Sequence, residues 1–355
     1  MTAVAAMAGE AIASPATASP AALAWRRFRR RRLGYWSLCL FGVLFALSLA
    51  APLLCNDRPL LVRYDGHWYW PVLHDYAETT FGGDFRTATD YHDPLIRAHL
   101  DAAGNFALFA PVPWSYATIN YWATQPNPAP PSSSNWLGTD DQGRDVLARL
   151  VYGFRDSVLF ALALTAVGTV LGLLMGAVQG YFGGRVDITL QRLTEIWGSL
   201  PELYLLIILS ALFAPSFTLL LVLLALFGWM GLADYTRAEF LRNRQMDYVR
   251  AARALGAGHW RIVTRHILPN SLTPLLTFLP FRMSGAILAL TSLDFLGLGV
   301  PPPSPSLGEM LAQAKANLDA WWLSLSVFAT LVLTLLLLTF IGEALRAALD
   351  PRHDA

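Results

Sequence analysis

The chain has one lysine in 355 residues, Lys315. A phosphate loop needs the pattern G-x4-G-K-[ST], because its lysine reaches the terminal phosphates, and no such glycine pattern surrounds Lys315. That device for hydrolysing ATP is therefore excluded, and any such fuel must be handled by a partner. Cysteine is almost as scarce. Cys39 lies inside an apolar run and Cys55 at its outer edge, which excludes a disulfide framework and offers no metal-ligand spacing. The histidines are scattered over His67, His74, His92, His99, His259, His266 and His353, and no Ser/His/Asp or Cys/His set lies in a recognisable motif. Charge is thin, at 14% of residues against 55% hydrophobic, too apolar for an ordinary soluble domain. The net charge of +1 says little, because the charges are sorted by region.

That sorting gives the topology. Residues 1–24 are rich in Ala, Ser, Thr and Pro and read as a disordered tail. Six arginines between Arg26 and Arg32 then precede Leu33–Leu54, an uncharged stretch longer than a signal-peptide core and long enough to span a bilayer. Residues 55–156 are polar, aromatic and acidic, with Trp68, Trp70, Trp114 and Trp122 among the rings, short strands expected at Leu60–Tyr64 and His67–Val72, and a stiff connector at Pro126–Pro131. Further spans are expected at Ser157–Gln179, Ile196–Ala214, Phe217–Tyr235, Leu272–Leu293 and Trp321–Ile341. Bases concentrate in the N-terminal tail, the loop at Gly180–Arg192, the loop at 237–269 and the C-terminal tail, so these face the cytoplasm and residues 55–156 face the periplasm.

The divisions that follow are a cytoplasmic tail (1–32), a first transmembrane helix (33–54), a periplasmic insert with a surface helix (55–156), a five-helix core (157–345) and a cytoplasmic tail (346–355). The fold class is an all-α polytopic membrane protein with six transmembrane helices. Asp140, Asp141, Gly143 and Asp145 lack the ligand spacing and closing glutamate of a calcium loop. The segment Gly138–Leu159 reads instead as a capped helix on the outer surface, with Arg144, Asp145 and Arg149 towards water. Gly168, Gly172 and Gly176 form a small-residue ridge suited to close helix packing. Pro201 and Pro274 are expected to break their spans locally. Glu202 and Arg282 are charges inside spans, hence candidates for lining a transport pathway or for pairing with each other, against a plainer role in packing on another subunit.

The stretch Arg237–Pro269 holds seven arginines and only two acids, Glu239 and Asp247. Within it Tyr248, Ala251, Ala252 and Leu255 fall at helical spacing on one face, and Asp247, Arg250 and Arg253 on the other. Gly256 and Gly258 offer left-handed stops. The residues alone leave two readings open: a short helix with a small-residue face that meets another protein, or a helix lying on anionic lipid.

The pattern of this loop resembles the EAA motif of bacterial ABC-importer permeases, E-A-A-x3-G-x9-I-x-L-P. Ala251, Ala252, Gly256, Leu268 and Pro269 match in register, while Arg250 replaces the glutamate and His266 the isoleucine. The motif is that family's coupling helix, so the resemblance implies contact with an ATPase through Asp247, Tyr248, Arg250, Ala251, Ala252, Leu255, Gly256 and Pro269. The segments Gly138–Gly153, Ser292–Val300, Ser304–Leu311 and Ala348–Arg352 resemble the C-type permeases of the dipeptide/oligopeptide (Dpp/Opp) family. The insert from Asn56, with Thr80–Phe85 and Thr118–Ser132, is similar to the E-subunit branch found in Yej peptide/microcin C importers. The resemblance implies a type I ABC-importer permease in the inner membrane and a B-type permease as heterodimer partner. It also implies a cytoplasmic ATPase holding ATP and Mg, a periplasmic peptide-binding protein, and no nucleic acid. Two other readings stay in view. An ion-coupled secondary transporter predicts inverted repeats and several intramembrane acids, and a non-transporting scaffold would display the aromatic insert.

Overall fold

The computed structural model describes residues 20–349 except 122 and 124. The alanine-rich tail before Pro20, Trp122, and the closing residues Asp350–Arg352 and His353 lie outside the described residues. The described chain begins with helix α1 (Pro20–Arg30), which takes in the last residues of the stretch expected to be a disordered tail, and whose Phe28 is buried against Ala344 and Ala348 near the other end of the described chain. Helix α2 (Arg32–Leu49) and the short α3 (Ala51–Leu54) form the expected first span, with Pro52 admitted in the first turn of α3 where no N–H is needed.

A small lobe follows. Strands β1 (Leu61–Tyr64) and β2 (His67–Tyr69) form an antiparallel hairpin, with Val62 opposite Tyr69. Its two-residue turn is Asp65-Gly66, with φ of 47° and 79°, the left-handed pair that matches strand twist. The second strand ends at Tyr69 rather than Val72. Beyond helix α4 (Pro94–Leu100), capped by Asp93, strand β3 (Phe106–Leu108) pairs with the other side of β1 and gives the order β2-β1-β3. One sheet face covers Phe81, Tyr91, Ile96 and Leu100; the other leaves Trp68 and Phe106 exposed beside Arg63. Two of the lobe histidines serve separate local contacts. His92 stacks on Trp114 with ring centroids 4.2 Å apart, and His99 bonds the Phe81 carbonyl through Nδ1. Residues Pro126–Pro131 are not a free connector: Ala129 exchanges bonds with Thr139, its N–H donating to the Thr139 hydroxyl at 2.8 Å.

Helix α5 (Val146–Phe182) corrects the reading of a surface helix followed by a separate span. It is one helix of 37 residues, about 55 Å long, against about 30 Å for a hydrocarbon core. Its first turns therefore stand clear of the membrane, inside the lobe. After it come α6 (Gly184–Gly198) and α7 (Glu202–Leu212), bent by 62° at Pro201. Helices α8 (Phe217–Gly228) and α9 (Met230–Asn243) make one long span. The basic loop contains α10 (Asp247–Ala254) and α11 (His259–Arg261), followed by a wide π-type turn at Ile262–Ile267. Pro269 offers no N–H to the Arg265 carbonyl, so a widened turn just before it relieves the conflict. Helix α12 (Leu268–Leu276) meets α13 (Leu279–Phe295) at a bend of 55°, just after Pro274.

Helix α14 (Leu307–Ala316) stands where the sequence suggested only a loop. Its Ser306 hydroxyl accepts from the Glu309 N–H at 3.2 Å, and the S-x-x-E spacing that signals such a cap was present in the sequence. The 29-residue α15 (Trp321–Leu349) ends the described chain. Among the described residues four helical stretches are long and apolar enough to cross a membrane, and the two bent pairs raise this to six. Their shared core joins α5, α8, α13, α14 and α15 through Val158, Leu220, Ile287, Met310 and Leu323.

Candidate coupling surface and intramembrane cavity

The basic loop is a folded unit. Helix α10 ends in a full left-handed cap. Gly256 has φ +80°, its N–H bonds the Arg253 carbonyl at 3.0 Å, and the Ala257 N–H bonds the Ala252 carbonyl at 3.1 Å. Val249, Ile262 and Ile267 pack with Tyr181 and Phe240, which seats the loop on the ends of α5 and α9. Polar ties reinforce the seat. The Tyr181 hydroxyl and His259 Nδ1 lie 2.7 Å apart, and Arg244 donates to the Tyr181 carbonyl at 3.2 Å. Arg237 on α9 grips Asp187 on α6 with two nitrogens, the longer bond being 2.7 Å.

The structure divides the face expected on α10. Val249, not Tyr248, is buried, and Ala252 is buried with it at 7% exposure. Tyr248, Ala251, Leu255 and Gly256 are exposed, as are Asp247, Arg250 and Pro269. The reason is register. The inward stripe runs through positions 249 and 252, so the two alanines of the motif point to different sides. Leu255 is 89% exposed and Trp260 80% exposed. The sequence reading passed over Trp260, although a tryptophan among arginines is a usable signal.

The small-residue ridge on α5 is a close helix contact, and its period of four continues to Gly180. A Cβ added at Gly172 would lie 2.8 Å from the Trp229 carbonyl oxygen. At Gly176 it would lie 2.4 Å from that of Ala233, and at Gly180 2.5 Å from that of Arg237. The backbones of α5 and α9 are thus in contact along the ridge. Gly168 serves differently: a Cβ there would meet the Arg282 guanidinium at 2.6 Å.

Glu202 and Arg282 come together, but not as a pair. Both line a cavity of about 230 Å³ with Leu164, Thr165, Leu224 and Gly228, and they form no ion pair with each other among the described residues. Arg282 instead donates through Nη2 to the Gly228 carbonyl at 2.7 Å, where α8 passes into α9.

At the lobe end, the charges expected to face water are buried. Arg144 is 1% exposed, Asp145 1% and Arg149 0%. Arg144 Nε donates to Asp140 at 2.6 Å and its Nη2 to Glu309 at 3.1 Å. Arg149 donates to the other Glu309 oxygen at 2.6 Å and to the Tyr116 carbonyl at 3.2 Å. Asp145 caps α5 through the Ala148 N–H at 2.7 Å, and Asn135 holds its second oxygen at 2.9 Å. Burial raises the Asp145 carboxyl above its ordinary range, and it pushes the neighbouring Cys55 thiol up to about 12. Of the aspartates in that loop, Asp140 is thus committed to arginines and Asp145 to a helix cap, while Asp141 is exposed.

Residues 168–354 match the family model described as a binding-protein-dependent transport system inner membrane component. This chain belongs to that family. Residues 19–65 also match the model for the N-terminal transmembrane domain of oligopeptide transport permease C. Among relatives of this permease, the inner membrane ABC transporter permease protein YejE of Escherichia coli (strain K12) is 53% identical over 327 residues, covering 92% of this chain and 96% of that one. A peptidoglycan transport system permease protein YejE of Agrobacterium fabrum is 49% identical, with 92% of each chain covered. The probable D,D-dipeptide transport system permease protein DdpC of Escherichia coli is 35% identical over 63% of this chain and 75% of its own. A solved structure of the MetNI methionine ABC transporter aligns with a TM-score of 0.49 at 19% identity, covering 57% of this chain and 97% of that chain. Membership places the permease among inner-membrane ABC-importer subunits and sets aside the secondary-transporter and scaffold readings.

Proposed function

We propose that this permease forms one half of a peptide-import pore, with a B-type permease as the other half. A periplasmic binding protein delivers the peptide, and a cytoplasmic ATPase that holds ATP and Mg drives the cycle. Support for the cargo comes from the relatives, whose names speak of dipeptide and peptidoglycan transport. Both termini and the loop at 237–269 face the cytoplasm in this reading, because the bases gather there. The observation that carries the coupling role is the rigid loop with Leu255 and Trp260 projecting from it.

The mechanism follows from how that loop is seated. A push on α10 and α11 reaches α5 through Tyr181 and His259, reaches α9 through Phe240, and reaches α6 through Arg237 and Asp187. Close-packed helices move as bodies rather than deform. Closure of the ATPase dimer would therefore rotate the packed α5–α9 unit and alternate access to the pore.

The test is co-purification of the ATPase with the intact permease pair, together with ATP-driven peptide uptake. Leu255→Asp and Trp260→Ala are expected to cut both by about tenfold or more, as loss of hot-spot contacts does. Bulky substitution of exposed Ala251 belongs in the same experiment, whereas buried Ala252 would report on folding instead. Undiminished ATPase binding and uptake in all three surface variants would refute coupling through this loop.

A further inference from the structure

A second cavity, of about 550 Å³, opens between α2, α5 and α15. Leu47, Leu150, Phe154, Leu325, Ala329 and Leu333 line it, and of these Leu47, Leu325, Ala329 and Leu333 are exposed. Three hydroxyls on its wall are turned to their own helices. Ser48 donates to the Phe45 carbonyl at 2.7 Å, Thr330 to that of Ser326 at 2.8 Å, and Thr334 to that of Thr330 at 2.6 Å. An apolar cavity of about 150 Å³ already stays dry and takes up benzene, so water is a poor filling for this larger one. Its rim continues into exposed apolar surface of the same spans, at Val43 on α2 and at Phe328 and Leu336 on α15. Close packing of α2 lies towards the other end: a Cβ on Gly34 would collide with Ala344, and Phe41 meets the Phe154 ring with centroids 6.2 Å apart. Past that contact the wall of the cavity begins at Leu44. Depth and landmarks then agree. Along α15 the wall runs from Leu325 to Thr334, about 14 Å at about 1.5 Å per residue, and one leaflet of hydrocarbon is about 15 Å deep, half of about 30 Å. At the lobe end, Trp321 and Trp136 are exposed, the latter beside Leu137 on the wall, and Trp322 donates to the Thr139 carbonyl at 3.4 Å. Tryptophans gather at the headgroup level of a bilayer. The cavity therefore starts at one membrane surface and ends near the midplane.

We propose that this cavity holds one acyl chain of a phospholipid from the leaflet on the lobe side. The headgroup lies level with Trp136 and Trp321, and the chain ends near Thr334. Left empty, the space would forfeit the dispersion contacts of its whole lining. A flexible chain restores them without moving a helix, and so joins the first span to the α5–α15 core.

The experiment uses the complete transporter in vesicles of phosphatidylethanolamine and phosphatidylglycerol. Some of the phosphatidylethanolamine carries a photoreactive diazirine in one acyl chain, near either the carbonyl or the methyl end, and labelled residues are mapped by peptide mass spectrometry. The carbonyl-end probe is expected to label around Leu147 and Leu325, and the methyl-end probe around Phe154 and Leu333. Each should exceed the label at exposed Phe328 and Leu336 of the same span by about threefold or more. Ala329→Trp, which fills the cavity without adding charge, should abolish that excess and remove a phospholipid adduct from the native mass spectrum of the complex. Phe328→Trp, on the open face, should change neither. If Ala329→Trp no longer co-purifies with the second permease, the wild-type label pattern decides alone. The reverse depth order would put the chain in the opposite leaflet and overturn the assignment. Label at the wall no higher than at Phe328 and Leu336 would overturn it too. So would a wall that is labelled in the isolated chain and protected once the second permease is present, because a protein helix would then fill the space.

Discussion

Arg149 shows how strongly position changes the meaning of a residue. On a helical wheel it sits with Arg144 and Asp145 on a polar stripe, and water is the cheapest partner for such a stripe. In the fold the two arginines meet Glu309 of α14, whose carboxylate takes the hydrogen bonds that water would have taken. Removing one member of a buried pair leaves the other stranded, at about 3–5 kcal/mol. Arg149→Ala is therefore expected to lower the midpoint of thermal unfolding sharply, read by monodispersity of the detergent-solubilised permease after heating. Arg149→Met with Glu309→Leu should recover part of the loss: both of those charges are then gone and Asp140 still neutralises Arg144, although Arg144 Nη2 loses its bond to Glu309. The sequence signalled that these residues were special, but Glu309 stands 160 positions away and no local pattern joins them.

At the scale of elements, most of the architecture was readable. The six apolar stretches, the first two strands and the proline breaks all correspond to observed features, because each is set by local composition and backbone chemistry. The bend of α6 against α7 falls at Pro201, as expected of a residue with fixed φ and no N–H. Two of the differences concern whole helices. Helix α14 forms from its capping signature in a stretch whose composition suggests a loop, and α5 runs unbroken where its polar turns enter the lobe. The glycine ridge was read correctly as packing, but its partner α9 could not be named from spacing. Gly176→Leu forces a side chain against the α9 backbone and is expected to cost at least about 1–3 kcal/mol, with reduced yield of the assembled pair. Gly42→Ala in α2 serves as the control, since nothing lies within 4 Å of the added carbon. Its effect on thermal stability should stay within about 0.5 kcal/mol.

For the whole molecule, the distribution of arginines predicts that the lobe and the basic loop lie on opposite sides of the membrane. A membrane-impermeant maleimide should label Trp68→Cys in intact spheroplasts and Leu255→Cys only after permeabilisation. Native Cys55 is buried and its thiol is pushed up to about 12, so it contributes little background. Labelling of Leu255→Cys from outside would reverse the orientation and with it the coupling role. Membrane insertion, the number of spans and the family motif were legible from the chain because they depend on hydropathy, charge and spacing over a few dozen neighbouring residues. Three matters needed the folded coordinates: which alanine of α10 turns inward, which charges at the lobe end find one another, and that Arg282 and Glu202 share a cavity without touching. Each depends on contacts between helices far apart in the chain, where a rotation of one residue, about 100°, moves a side chain from a partner to the open surface.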